Sequence, residues 1–230
     1  MAAVAADDVV ALRALLDQHF PDRTEKFQGD YVVSELYPVY TSKPAGHSPR
    51  FADFMAEDAL DAGNKETLLW LLKQGWNINK VKKRPAYVDD TPLSRAVASA
   101  PPTPPNLIRE LIDHHGGDVR RDQLLHWALK RKPGDDMTEV LNLLLDRGAP
   151  LNATMFAGDA GSLRNYRSSD LGTPLHTAAE MGQTEAMWCL LSQGADASVC
   201  STGGRTALQW AERARKDDAV AILQSPEQFT

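Results

Sequence analysis

The chain has 230 residues, of which 43% are hydrophobic and 24% charged, with a net charge of −6. That is enough apolar material for a continuous core, in a composition too balanced for wholesale disorder. The acidic balance argues against nucleic acid as the main ligand, because phosphate binding wants a basic face. Cys189 and Cys200, the two cysteines, form neither a disulfide framework nor a metal pair.

At the N-terminus, MAAVAADDVV lacks the positive segment and long apolar run of a secretory signal. No stretch is long and apolar enough to span a bilayer, so no membrane association is expected and the setting is read as cytoplasmic and/or nuclear. Val9, Val10, Leu12, Leu15 and Leu16 have the spacing of one apolar helix face, the second helix of a truncated helix pair. Beyond them the stretch Asp30 to Tyr40 is β-like and aromatic, until Pro44, Gly46 and Pro49 break it. Residues 1–51 are therefore a capping helix with an irregular extension.

A recurring phrase begins after this. Phe54-Met55-Ala56-Glu57-Asp58-Ala59 leads to Gly63, Leu71-Leu72 and Gly75. The following loop is widened and carries Lys80, Lys82, Lys83, Arg84 and Tyr87, either a solvated loop or a contact for phosphate or an acidic segment. Thr91-Pro92-Leu93-Ser94-Arg95-Ala96 leads to Leu111-Ile112 and Gly116, across the proline break 101–105. Gln123-Leu124-Leu125-His126-Trp127-Ala128 leads to Leu144-Leu145 and Gly148-Ala149, with extra residues at 132–135.

A long loop, 153–170, then intervenes. Its excess over the later inter-phrase connection is 13 residues, and Met155, Phe156, Leu163 and Tyr166 are too apolar for a pure linker. These side chains fold back onto the body of the protein, contact a partner or stay disordered, and with Arg164 and Arg167 they have the mixture of an adaptable contact surface. The sequon Asn152-Ala153-Thr154 is a chance match without a secretory signal.

The phrase is clearest at Thr173-Pro174-Leu175-His176-Thr177-Ala178-Ala179, followed by Gly182, Leu190-Leu191 and Gly194-Ala195-Asp196. Thr206-Ala207-Leu208-Gln209-Trp210-Ala211 restarts it 33 residues after Thr173. Each residue has a physical task. Thr173 caps a helix and Pro174 sits in its first turn, where the missing N–H costs nothing. Leu175, Ala178 and Ala179 form one thin apolar face, Gly182 ends the helix, and Met187, Leu190 and Leu191 supply the face of an antiparallel second helix. One such pair cannot bury both faces alone, so the pairs must stack.

With this 33-residue period, the T-P-L-H-x-A phrase resembles the ankyrin repeat. The resemblance covers roughly residues 52–224 and implies an all-α solenoid of helix-turn-helix repeats joined by short β-hairpin loops. We count four repeats plus the N-terminal half-repeat, with helix pairs starting near residues 54, 91, 123, 173 and 206, and a tail at 225–230. It also implies that His126 and His176 hydrogen-bond the threonine and neighbouring loops.

No nucleophile elbow, phosphate loop, dinucleotide turn or zinc-binding helix occurs, and the paired acids at 89–90, 135–136 and 217–218 suit helix starts. No enzyme activity, cofactor or metal is expected. By resemblance, a protein partner of unknown identity binds the hairpin tips and the groove made by the first helices, where Asp61, Ala62, Ala98, Ser99, Lys130, Arg131, Glu180, Met181 and Arg213 face it. Trp127 and Trp210 share one phrase position near that surface, and such residues often dominate interface energy. With Phe156, Arg164, Tyr166 and Arg167 of the long loop they complete the expected contact set. A monomer acting as adaptor, inhibitor or client-binding chaperone is the expected role, with a nucleic-acid contact through 80–84 as its rival.

Overall fold

The computed structural model describes residues 8–11, 14, 51–73, 76–79, 91–98, 103–121, 123–131, 136–158, 160–166 and 168–225. The basic loop 80–84, most of 1–50 and the tail 226–230 lie outside them. Helices α1 (Phe51–Ala62) and α2 (Lys65–Lys73) form the first pair, followed by α3 (Pro92–Ala98) with α4 (Pro105–Asp113) and α5 (Leu124–Ala128) with α6 (Met137–Leu145). A short α7 (Ala160–Asn165) lies in the inserted loop. The last pairs are α8 (Pro174–Met181) with α9 (Thr184–Ser192) and α10 (Ala207–Arg213) with α11 (Asp217–Gln224). Five helix pairs thus lie between residues 51 and 224.

The pairs stack in two layers. First helices α1, α3, α5, α8 and α10 each pack on the next, while α4, α6, α9 and α11 form the second layer. Small side chains set the spacing of the first layer: Ala96, Ala128, Ala178, Ala179, Ala207 and Ala211 are all fully buried. Larger ones fill the space between layers, among them Leu111, Leu129, Leu141, Leu144 and Leu190. All belong to one continuous cluster running from Ala56 to Ala219. Each buried leucine contributes about 1.5–3 kcal/mol, so stability comes from stacking more than from the short helices themselves.

Helix starts explain much of the register. Thr91 and Ser94 cap each other: Thr91 N–H donates to Ser94 Oγ at 3.0 Å, and Ser94 N–H donates to Thr91 Oγ1 at 3.2 Å. Thr206 and Gln209 repeat the exchange at 3.0 and 3.4 Å. Gln123 breaks the pattern. It enters α5 with φ 50° and no side-chain cap, since it lacks the threonine hydroxyl.

Among the described residues the connections are turns rather than paired strands. The last one closes on itself through Ser201 N–H to the Arg205 carbonyl at 2.7 Å and Gly204 N–H to the Ser201 carbonyl at 2.9 Å. Neighbouring connections are tied by asparagines. Asn79 donates to the Gly116 carbonyl at 2.7 Å and accepts from Asp118 N–H at 2.8 Å, and Asn152 accepts from Asp196 N–H at 2.9 Å.

Candidate functional site

Two groups of expected contact residues come together, one in each half of the first-helix layer. On α5, Trp127 is half-buried and Lys130, one turn on and exposed, lays its ammonium 4.0 Å from the indole centroid. This is a cation–π pair, and burial lowers the Lys130 pKa. The Trp127 indole Nε1 is itself buried without a hydrogen-bond partner.

Arg131 turns inward and is only 3% exposed. Its Nη1 donates to the Val97 carbonyl and its Nη2 to the Thr103 carbonyl, each at 2.9 Å. The guanidinium fork therefore spans the end of α3 and the start of the α4 region, a clamp between repeats rather than a groove contact.

The second group surrounds a shallow cleft of about 360 Å³ between α8 and α10, lined by Asp170, Glu180, Trp210, Arg213 and Ala214. Asp170 is its anchor, receiving Gly203 N–H and Arg205 Nη1 at 2.7 Å each and Trp210 Nε1 at 3.2 Å. Burial pushes the Asp170 carboxyl up, yet hydrogen bonds from Ser201, Gly203, Arg205 and Trp210 together hold it below the usual carboxylate range. The Trp210 indole also meets the His176 ring in a T-shaped contact, 5.2 Å between centroids. Held by its N–H and by this ring contact, the indole stands as a fixed wall of the cleft. Glu180 and Arg213 are exposed, and Met181 beside them is 44% exposed.

His176 belongs to the support of this wall. Its Nδ1 accepts from Thr173 N–H at 3.1 Å, so the proton sits on Nε2, which donates to the Arg205 carbonyl at 2.8 Å. Burial draws its pKa down. His126 makes the matching reach to the Gly172 carbonyl at 3.1 Å, but its buried Nδ1 has no partner because residue 123 is glutamine. Burial lowers the His126 pKa to about 4. Both rings bind the loop of the following repeat and neither faces a reacting group.

The inserted loop is ordered against the body. Phe156 is 2% exposed, with φ 63°, and its ring stacks on half-buried Tyr166 at 5.0 Å. Met155 N–H donates to the Gly172 carbonyl at 2.8 Å. Leu171 and Thr202 then exchange bonds: Thr202 N–H donates to the Leu171 carbonyl at 3.0 Å and Leu171 N–H to Thr202 Oγ1 at 2.8 Å. Phe156 thus packs inside the loop instead of facing solvent, while Arg164 on α7 is exposed and Arg167 lies outside the described residues.

Sequence reasoning passed over Asp170, although a signal existed. An aspartate precedes an arginine by about one repeat three times. Arg95 binds Asp61 with both arms, and Arg147 binds Asp113 at 2.7 and 2.6 Å. Asp170 and Arg205 are the third such pair. The half-exposed Trp188 on α9, 41% exposed on the second-helix layer, also escaped notice. Among the described residues no three His, Cys, Asp or Glu side chains converge as a metal site would require.

A family model described as ankyrin repeats, in three copies, matches residues 157–229, which include the cleft and the two best-formed phrases. Over these residues the chain carries ankyrin repeats. Such repeats are general protein–protein interaction modules and typically carry no catalysis. The chain is similar to human ankyrin repeat and SOCS box protein 6, 29% identical over 197 residues, and to the same protein of Pongo abelii at the same identity. Each alignment covers 81% of this chain and 44% of the relative. It is also similar to human BCL-6 corepressor-like protein 1, 31% identical over 91 residues, 40% of this chain and 4% of that protein. The ankyrin array here thus spans less than half the length of these relatives. No helix among the described residues is long and apolar enough to cross a membrane.

Proposed function

We propose that the chain is an adaptor whose groove, at the cleft between α8 and α10, holds a partner protein. The observation that carries this is the fixed Trp210 wall with the exposed charges of Glu180 and Arg213 around it. A rigid aromatic anchor beside adaptable charges is the composition of an interface hot spot. Met181 and the Trp127–Lys130 pair extend the same first-helix surface, and Arg164 offers a contact from the loop. Arg131 and Phe156 support the surface from beneath and are not assigned to it. The names of the relatives, one joining ankyrin repeats to a SOCS box and one corepressor-like, favour an adaptor over an inhibitor or chaperone.

Affinity capture with the full chain tests this, comparing wild type with Trp210→Ala and with Glu185→Ala, an exposed change on the other layer. A co-purifying protein lost with Trp210→Ala but retained with Glu185→Ala, at unchanged melting temperature, is the expected result. Equal retention in both variants overturns the groove assignment.

A further inference from the structure

Trp127 and Trp210 occupy the same position of the repeat phrase, and each is followed three residues later by a cation, Lys130 and Arg213. On α5 the cation rests over the indole. On α10 it does not: Arg213 lines the cleft and the described cation–π pairing belongs to Trp127 alone. Among the described residues the groove therefore contains one indole already carrying a cation and a second, partly exposed, that carries none. The second is the better electrostatic acceptor. Its N–H donates to the Asp170 carboxylate, which increases electron density on the ring, and the Glu180 carboxylate stands in the same cleft with no ion pair among the described residues. The net charge of −6 adds a long-range field of the same sign.

We infer that the Trp210 cleft is a pocket for a basic side chain, arginine or lysine, from an extended segment of the partner protein. The cation lies on the indole face, with Glu180 as its counter-charge and the His176–Asp170 frame holding the ring in place. Arg213 takes the opposite part: it lies in the same cleft and repels an incoming cation, so it tunes affinity downward. This inference rests on the groove reading above and adds the sign of the partner's charge.

The test uses the full chain and small probes, N-acetyl-arginine amide and N-acetyl-glutamate amide, followed through the indole N–H resonances in proton–nitrogen correlation spectra. Trp210→Phe assigns the resonance. The arginine probe should move it and the glutamate probe should not. Glu180→Gln should weaken the arginine titration about two- to fivefold, and Arg213→Gln should strengthen it by a similar factor. No movement with arginine, or movement with glutamate that disappears in Arg213→Gln, overturns the inference. If either of these occurs while Trp210→Ala still loses the captured protein, the groove reading survives and only the charge assignment fails.

Discussion

His126 and His176 hold the same place in the helical phrase, yet only His176 has both ring nitrogens bonded. The difference has a consequence for pH. A folded pKa of about 4 against an ordinary 6.5 means the unfolded chain binds this proton first. Stability from His126 is complete above pH 6.5 and is lost as pH falls toward 4, by about 2 kcal/mol at pH 5. The depressed carboxyls of Asp113, Asp170 and Asp196 act only below their ordinary value of 3.8, so they leave this window untouched. Urea denaturation at pH 7.5 and pH 5 should show the loss, and His126→Gln should reduce it, since glutamine fills the same phrase position at 209. An equal loss in the variant would assign the effect elsewhere. Gly172 offers a second test. A Cβ there would lie 2.4 Å from the His176 Cβ, the root of a buried side chain. Gly172→Ala should cost about 1–3 kcal/mol in the same assay.

The elements are short, so each depends on what crosses to its neighbour. Leu190 is fully buried in α9, whereas Ser192 on the same helix is exposed and bonds only its own turn, at the Cys189 carbonyl. Leu190→Ala should destabilise by about 2–4 kcal/mol, and Ser192→Ala by less than about 0.5. Coincident denaturation midpoints would refute the register. Arg131 ties the second pair to the third through the Val97 and Thr103 carbonyls. Arg131→Lys keeps the charge but loses the planar fork, and a loss of about 1.5–3 kcal/mol is expected from one unmade charged hydrogen bond. The inserted loop behaves as an element too. Phe156 and the bond from Met155 to Gly172 hold it down, so replacing 155–167 with a short Gly/Ser turn should lower the melting temperature clearly as well as altering any loop contact.

In the molecule as a whole, the main contacts among the described elements run between neighbouring pairs, and stability is a chain of interfaces. Removing 204–225 takes away α10 and α11, uncovers Ala178 and Ala179, and deletes the Trp210 wall. The shortened chain should melt about 10 °C or more lower by circular dichroism, which corresponds to several kcal/mol of lost interface. An unchanged melting temperature would mean that the last pair is not coupled to the rest.

The sequence by itself determined the helix pairs. Threonine caps, first-turn prolines, paired leucines and closing glycines act over three or four residues, so their spacing shows in the chain. It also determined the position of Trp127 and Trp210 in the phrase. Which way a groove residue turns depends on groups tens of residues away, and only the tertiary structure decided it. Lys130 and Arg131 are adjacent in sequence, yet one covers an indole and the other is buried against carbonyls 28 and 34 residues earlier. Asp170 ends an insertion, and only the fold brings it to Gly203, Arg205 and Trp210, where closing the loop converts a solvated carboxylate into the brace of the cleft.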